Sequence, residues 1–367
     1  MISPAGKKVL VVGDWQWTWY QEACAQALEK LGCTVGRFGW VDEFKRRIRG
    51  RSEPVYRSWW HRVEARLQSG PVVWAIRRRL VRAAAQQQPD IVFFYNVQLI
   101  DAATVRAMRR ATPGAVFVQY ANDNPFSSRA SVGLWRNFLE SIACFDLHLA
   151  YRHANLADFS RLGAQHVEFM RSYFVPTDDF PIPVADIDPR YRADVVFAGH
   201  YESDGRVAAL EAVCRAGLKL NLFGGGWNAA RPTLAADSPL HALYPIQPAV
   251  GADYRQALNG AKVALCFLSR INGDTYTRRN FQIPAMEVAM LTERTEDLAS
   301  LFRGDDEAAF FGSTPELVEQ ATRLVQDDAW RRKIAVAGRE RVWRDGHHVE
   351  GRMSELLRQV GRVRAQR

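Results

Sequence analysis

The stretch DVVFAGHYESDGRVAALEAVCRAGLKLNLFG, residues 194–224, decides the fold. DVVFAG (194–199) is a short apolar run of the buried-strand type, GRVAALEAVCRAG (205–217) reads as a helix, and LKLNLFG (218–224) is a second strand. Strand, helix and strand in this order predict a parallel sheet covered by helices. The alternation continues downstream with DYRQALNG (253–260) as helix and AKVALCF (261–267) as strand, and a mostly helical tail from Pro315 to Arg364. It also holds upstream. KVLVV (8–12), TVGRF (34–38), DIVFFY (90–95), AVFVQY (115–120), FDLHLA (145–150) and HVEFM (166–170) are strand candidates. Helical segments separate them at 17–31, 100–111, 131–142 and 155–163. Between the halves lies VPTDDFPIPVADIDPRYR (175–192), where Pro176, Pro181, Pro183 and Pro189 stop regular structure, so it reads as an interdomain linker. The expected organisation is an N-terminal domain over 1–175, a linker over 176–192 and a second domain from 193. Both are α/β units of the nucleotide-binding type. In open parallel sheets ligands sit beyond the carboxyl ends of the strands, so two such domains are expected to face each other across a cleft.

The composition, 47% hydrophobic and 24% charged, excludes a disordered chain. No apolar run approaches the roughly 18 residues that span a bilayer. MISPAGKKVLVVGDW lacks the regions of a signal peptide, so a cytoplasmic protein is expected. Cys24, Cys33, Cys144, Cys214 and Cys266 form no Cys-x2-Cys pair, so they read as reduced thiols and no metal or disulfide framework is expected. Charge is concentrated. Lys45–Arg82 contains twelve basic residues against Glu53 and Glu64, so it carries +10, and with a net charge of +9 the rest of the chain is near neutral at −1. Phe44, Tyr56, Trp59, Trp60 and Trp74 interleave with those arginines, so segment 41–82 is expected to touch an anionic membrane peripherally, at the inner face of the plasma membrane. A solvated helical face is the plainer alternative. No nucleic-acid-binding motif is present. The absence of Gly-x-Gly-x-x-Gly after the first strand disfavours a nicotinamide enzyme.

Chemistry concentrates in NGDTYTRRNFQIPAMEVAMLTERT, residues 272–295. It reads as a polar loop followed by a helix opening near Asn280. Thr277, Arg278, Arg279 and Asn280 then lie at the helix N-terminus, where free N–H groups and arginine favour a diphosphate; a solvated loop with ordinary surface arginines is the plainer alternative. Asp274 and Gln282, eight residues apart, are candidates for hydrogen bonds to sugar hydroxyls. GGGW (Gly224, Gly225, Gly226, Trp227) follows a strand and is either a turn or a loop lining a nucleotide. Gly199 and His200 also follow a strand, with backbone amides able to face a phosphate. Asp14 in GDWQW follows the first strand and is a general base or an N-cap. Asp123 in NDNP is a general base or an Asx-turn residue.

The 272–295 stretch resembles the signature of the CgeB-like glycosyltransferases through Asp274, Thr277, Arg279, Phe281, Ile283, Pro284, Ala285, Glu293, Arg294 and Thr295. Segments 195–201, 221–227, 253–267, 301–325 and 331–357 fit the same family in type and order. The resemblance implies the GT-B fold: two Rossmann-like domains, the second (193–345) binding the nucleotide sugar. It also implies a last helix (346–367) that crosses back to the N-terminal domain. It further implies sugar transfer from a UDP- or GDP-linked donor to a glycan, lipid-linked or protein acceptor, with no cofactor and no metal. Asp274 stands where the wider clan has the first glutamate of Glu-x7-Glu, and Gln282 where it has the second. Met286 and Glu287 replace a glycine-rich stretch. A catalytically degenerate nucleotide or glycan binder and a nucleotide-sugar epimerase are the alternatives.

Overall fold

The computed structural model of the protein describes residues 6–48, 54–128 and 132–366. Arg49, Arg51 and Glu53 of the basic segment, Ser131 of the expected helix 131–142, and Arg367 at the end of 346–367 lie outside the described residues. The chain forms two compact units: Met1–Ser172 with Val349–Arg367, and Tyr173–His348. The proline-rich passage 175–192 thus belongs to the second unit. Its Asp179, Ile187 and Tyr191 are buried there.

The first unit is built on β1 (Lys8–Val12), β2 (Thr34–Phe38), a short antiparallel ribbon of β3 (Lys45–Arg46) with β4 (Val55–Tyr56), β5 (Ile91–Tyr95), β6 (Val116–Ala121), β7 (Leu147–Ala150) and β8 (Val167–Phe169). Its main sheet is parallel, in the order β2-β1-β5-β6-β7-β8. Every residue of β5 and β6 is buried, as expected of central parallel strands covered on both faces. The last helix, Val349–Ala365, buries Val349, Met353, Leu356, Val360 and Val363 at alternating steps of four and three. This stripe keeps it in the first unit. Lys30 Nζ meets Glu350 at 2.9 Å, and Arg364 Nη2 donates to the Asp90 carbonyl at 2.6 Å.

The second unit carries β9 (Ala193–Ala198), β10 (Leu220–Phe223), β11 (Ala261–Cys266), β12 (Ala289–Glu293) and β13 (Ala309–Phe311). They form a parallel sheet in the order β10-β9-β11-β12-β13. Helix Arg206–Arg215 buries Ala209, Leu210 and Val213 and carries the chain from β9 to β10. β12 was not expected from the sequence. It follows a helix of only seven residues, Arg279–Ala285, so its apolar run continues directly from the helix. Among the described residues no helix is long and apolar enough to cross a membrane.

Candidate functional site

In both sheets the second strand pairs on one side of the first, and the third pairs on the other. The loops leaving the first and third strands therefore turn apart, which opens a crevice at the carboxyl ends of β1 and β5 and of β9 and β11.

In the second unit the β9–β11 crevice holds Arg279. Its Nη2 donates to the Phe267 carbonyl just past β11 at 3.0 Å. Its Nη1 lies beside Gly199 just past β9, 3.3 Å from where a Cβ would stand. Its Nε is buried and has no hydrogen-bond partner among the described residues. Asp274 is close enough to act electrostatically on Arg279. The glycine loop after β10 lies against the same strand end. Gly199 N–H donates to Phe223 O at 2.9 Å, and Tyr201 N–H to Gly225 O at 3.0 Å. A Cβ on Gly225 would sit 3.6 Å from the His200 ring. Gly226 has φ +80° and packs near Tyr201. Gly199, His200, Gly224, Gly225, Gly226, Asp274 and Arg279 are therefore gathered at one end of the sheet.

Other residues of the motif are engaged elsewhere. Asn280 is fully buried. Its Oδ1 accepts the Thr277 N–H at 2.8 Å and its Nδ2 donates to Thr292 Oγ1 at 3.0 Å. It clamps the helix start to β12 and takes up the Thr277 amide, so the Asn280 side chain and the Thr277 N–H are turned away from the expected ligand role. Trp227, 1% exposed, is a core pillar whose Nε1 donates to Gly199 O at 3.0 Å. Gln282 donates through Nε2 to Asp179 Oδ1 at 2.9 Å, and its Oε1 accepts from Tyr254 Oη at 3.3 Å. Each end of its amide makes one bond within the second unit, and a second N–H and a second carbonyl lone pair are left for the expected ribose role. Arg278 faces the same Asp179 at 3.8 Å and packs over Tyr173 at 5.3 Å, so it too turns toward residues 173–179. Burial pushes the Asp179 carboxyl up, while Arg278, the Val175 N–H and Gln282 pull it down. A glutamate at 282 would set a second carboxylate against this buried one, whereas glutamine donates to it. Glu287 has φ +57°, and its N–H donates to Pro284 O at 2.8 Å. It fills the left-handed position that ends a helix, which glycine fills most easily.

Arg206 was not singled out from the sequence. It is 3% exposed and bonds Asp204 through Nε at 2.8 Å and Nη2 at 2.5 Å. Nη1 donates to His200 O at 2.5 Å and Nη2 to Leu268 O at 3.3 Å. One side chain thus ties together the loops leaving β9 and β11. The signal available was a cation at a helix N-terminus, where the dipole disfavours it.

In the first unit, Asp14 follows β1 and Asp123 follows β6. Asp14 Oδ1 accepts the Gln16 N–H at 3.0 Å. The next helical turn is capped at Trp17 without a side-chain bond, so Asp14 is not its N-cap. Asp123 Oδ2 accepts from Asn96 Nδ2 at 3.0 Å, and the Asx turn is made by Asn124, which accepts the Phe126 N–H at 3.0 Å. Burial chiefly raises the Asp14 carboxyl pKa. Gln16, Lys45 and Gln21 oppose the shift and Asp123 adds to it. Asp123 is thus close enough to act electrostatically on Asp14. Trp15 (φ +60°) after β1 and Asn96 (φ +52°) after β5 adopt left-handed backbone, a clustering of strain common at functional sites. Asn96 Oδ1 and Asn122 Oδ1 are buried without hydrogen-bond partners among the described residues.

Comparison with known proteins bears on the fold. Residues 206–358 match the family described as glycosyl transferase-like. A search of the curated proteins found no significant sequence match. Among solved structures the chain is similar to HepE (Alr3699) of Anabaena in complex with UDP and glucose. The TM-score is 0.64 at 12% identity, over 97% of this chain and 99% of that one. It is similar to sucrose-phosphate synthase from Thermosynechococcus elongatus, with TM-score 0.63 at 12% identity over 96% and 99%. It is also similar to the UDP-forming α,α-trehalose-phosphate synthase from Burkholderia xenovorans, with TM-score 0.59 at 12% identity over 98% and 99%. These findings give the class of the chain: GT-B in fold, and glycosyl transferase-like over 206–358.

Proposed function

We propose that the chain is a glycosyltransferase that moves a sugar from a nucleoside diphosphate sugar, UDP- or GDP-linked, to a hydroxyl acceptor on a glycan, a lipid-linked carrier or a protein. The observation that carries this reading is the Arg279 guanidinium in the β9–β11 crevice, with Nη1 beside Gly199 and Nε buried without a hydrogen-bond partner among the described residues. A guanidinium so placed stabilises the charge that grows on a departing diphosphate, the part a divalent cation plays elsewhere. Gly199, His200 and Gly224–Gly226 keep the approach open to a ligand, and Asp274 orients the donor sugar. Arg206 positions the two loops. In the first unit the Asp14–Asp123 pair supplies the base for the acceptor hydroxyl, because a carboxylate raised by burial and a like-charged neighbour takes a proton more readily. The UDP bound in the HepE structure supports a nucleoside diphosphate donor. Within the class we place the chain with the CgeB-like proteins, on Asp274, Thr277, Arg279 and the run Phe281–Ala285.

The test is nucleotide release from a panel of nucleotide sugars. Wild type is expected to turn over at least one. Arg279→Ala is expected to lose about 10²- to 10³-fold in kcat, the cost of removing one preorganised donor, with an unchanged circular dichroism spectrum. Equal turnover refutes the phosphate role. Thermal stabilisation by UDP or GDP without turnover favours the non-catalytic binder, and interconversion of nucleotide sugars without release favours an epimerase.

A further inference from the structure

The later part of the basic segment lies in two helices of the first unit, Trp59–Leu67 and Pro71–Gln87, whose outer faces have no covering element among the described residues. Helix Pro71–Gln87 buries Val73, Ile76, Leu80 and Ala84 on its inner stripe. Its outer row is Trp74, Arg78 and Arg82, four residues apart, with the Arg78 guanidinium 4.4 Å over the Trp74 ring. Helix Trp59–Leu67 buries none of its residues fully. Trp59, Arg62 and Arg66 recur on one face, with Trp60 and Leu67 on the row beside it. Trp59, Trp60, Leu67 and Trp74 are 65%, 67%, 61% and 59% exposed, and apolar side chains grouped among polar ones in this way mark an interaction surface.

The charge around these side chains is not neutralised. Glu64 is turned inward, where its Oε2 accepts the Val72 N–H at 3.0 Å. Arg77 and Arg79 are spent on Asp101 and Glu43. Arg62, Arg66, Arg78 and Arg82 pair with no carboxylate among the described residues. Indole rings beside free guanidinium groups match the headgroup zone of a bilayer, where the ring enters the apolar boundary and the cation meets phosphate. We infer that this face docks the protein on an anionic lipid surface through Trp59, Trp60 and Trp74, with Arg62, Arg66, Arg78 and Arg82 reading the headgroup charge.

The inference is independent of the donor site and is tested by flotation of the full chain with vesicles. Wild type is expected to float with phosphatidylcholine–phosphatidylglycerol vesicles and not with phosphatidylcholine alone. Arg62→Gln, Arg66→Gln, Arg78→Gln and Arg82→Gln are expected to weaken binding roughly fivefold each, and Trp59→Ala with Trp60→Ala and Trp74→Ala to abolish it, without change in circular dichroism. Should the triple variant misfold, quenching of wild-type tryptophan emission by brominated lipid decides: quenching supports the docking and its absence overturns it. Failure to float with anionic vesicles, or variants that float like wild type, overturns the inference. So does tighter arginine-dependent binding to a single-stranded oligonucleotide than to vesicles, which reassigns the face to nucleic acid.

Discussion

Gly224→Ala probes how tightly the glycine loop is fitted to the end of β9. Gly224 has φ +148°, and a Cβ there would lie 1.9 Å from Gly199 O and 2.6 Å from its carbonyl carbon. Ordinary contact begins at 3.4 Å, so the two loops must part by about 1.5 Å. They are pinned on both sides. Gly224 N–H donates to Gln247 O at 3.1 Å, Gly199 N–H to Phe223 O at 2.9 Å, and Trp227 Nε1 to Gly199 O at 3.0 Å. Parting them loses at least one of these bonds, about 1 kcal/mol, and adds overpacking of about 1–3 kcal/mol. A total of about 3 kcal/mol lowers Tm by roughly 6–12 °C for a unit of this size. Gly199 also moves relative to Arg279, and a shift of about an ångström costs on the order of 10²-fold in turnover. Calorimetry and nucleotide release measure the two effects. Gly114→Ala is the control, since a Cβ there meets nothing within 4 Å. If Gly224→Ala melts and turns over like Gly114→Ala, the reasoning about this loop is wrong.

Two further predictions concern buried polar groups. Gln282→Glu sets a carboxylate against buried Asp179 and is expected to cost about 3 kcal/mol at pH 8, since one of two adjacent carboxylates must take a proton. A raised folded pKa means the penalty shrinks as pH falls toward the unfolded carboxylate value of about 4.3, so equal melting of variant and wild type at pH 8 counts against it. His148 stacks on Phe159 and is bonded to Ile142 O at 2.9 Å, and burial lowers its pKa to about 4. The unfolded chain takes up this proton near pH 6.5, so stability is full above that value and falls by roughly 3 kcal/mol as pH drops to about 4. His148→Gln is expected to flatten that part of the stability–pH curve; an unchanged slope assigns the acid sensitivity elsewhere.

The strands were readable wherever an apolar run stood between turn residues. KVLVV and TVGRF coincide with β1 and β2, because local pattern alone decides such strands. β12 escaped because Glu287, where glycine more often ends a helix, hid the stop before AMLTE. Helices Trp59–Leu67 and Pro71–Gln87 were legible only as charge and aromatics, since the stripe Val73, Ile76, Leu80 and Ala84 is interrupted by four arginines. In the site, Arg279 was legible from its motif. The partners of Gln282 and Arg206 were not. Asp179 lies 103 residues from Gln282 and Leu268 lies 62 from Arg206, and only tertiary folding brings such groups together. Asn280 shows the same limit: its place in a phosphate-like motif suggested a ligand, but its amide reaches Thr292 inside the core.

The most direct measurement is a crystal structure of the protein soaked with UDP and, separately, GDP. Diphosphate oxygens are expected within hydrogen-bond distance of the Arg279 guanidinium, beside Gly199 at the end of β9. A nucleotide bound elsewhere, or one whose phosphates leave Arg279 Nε unbonded, contradicts it.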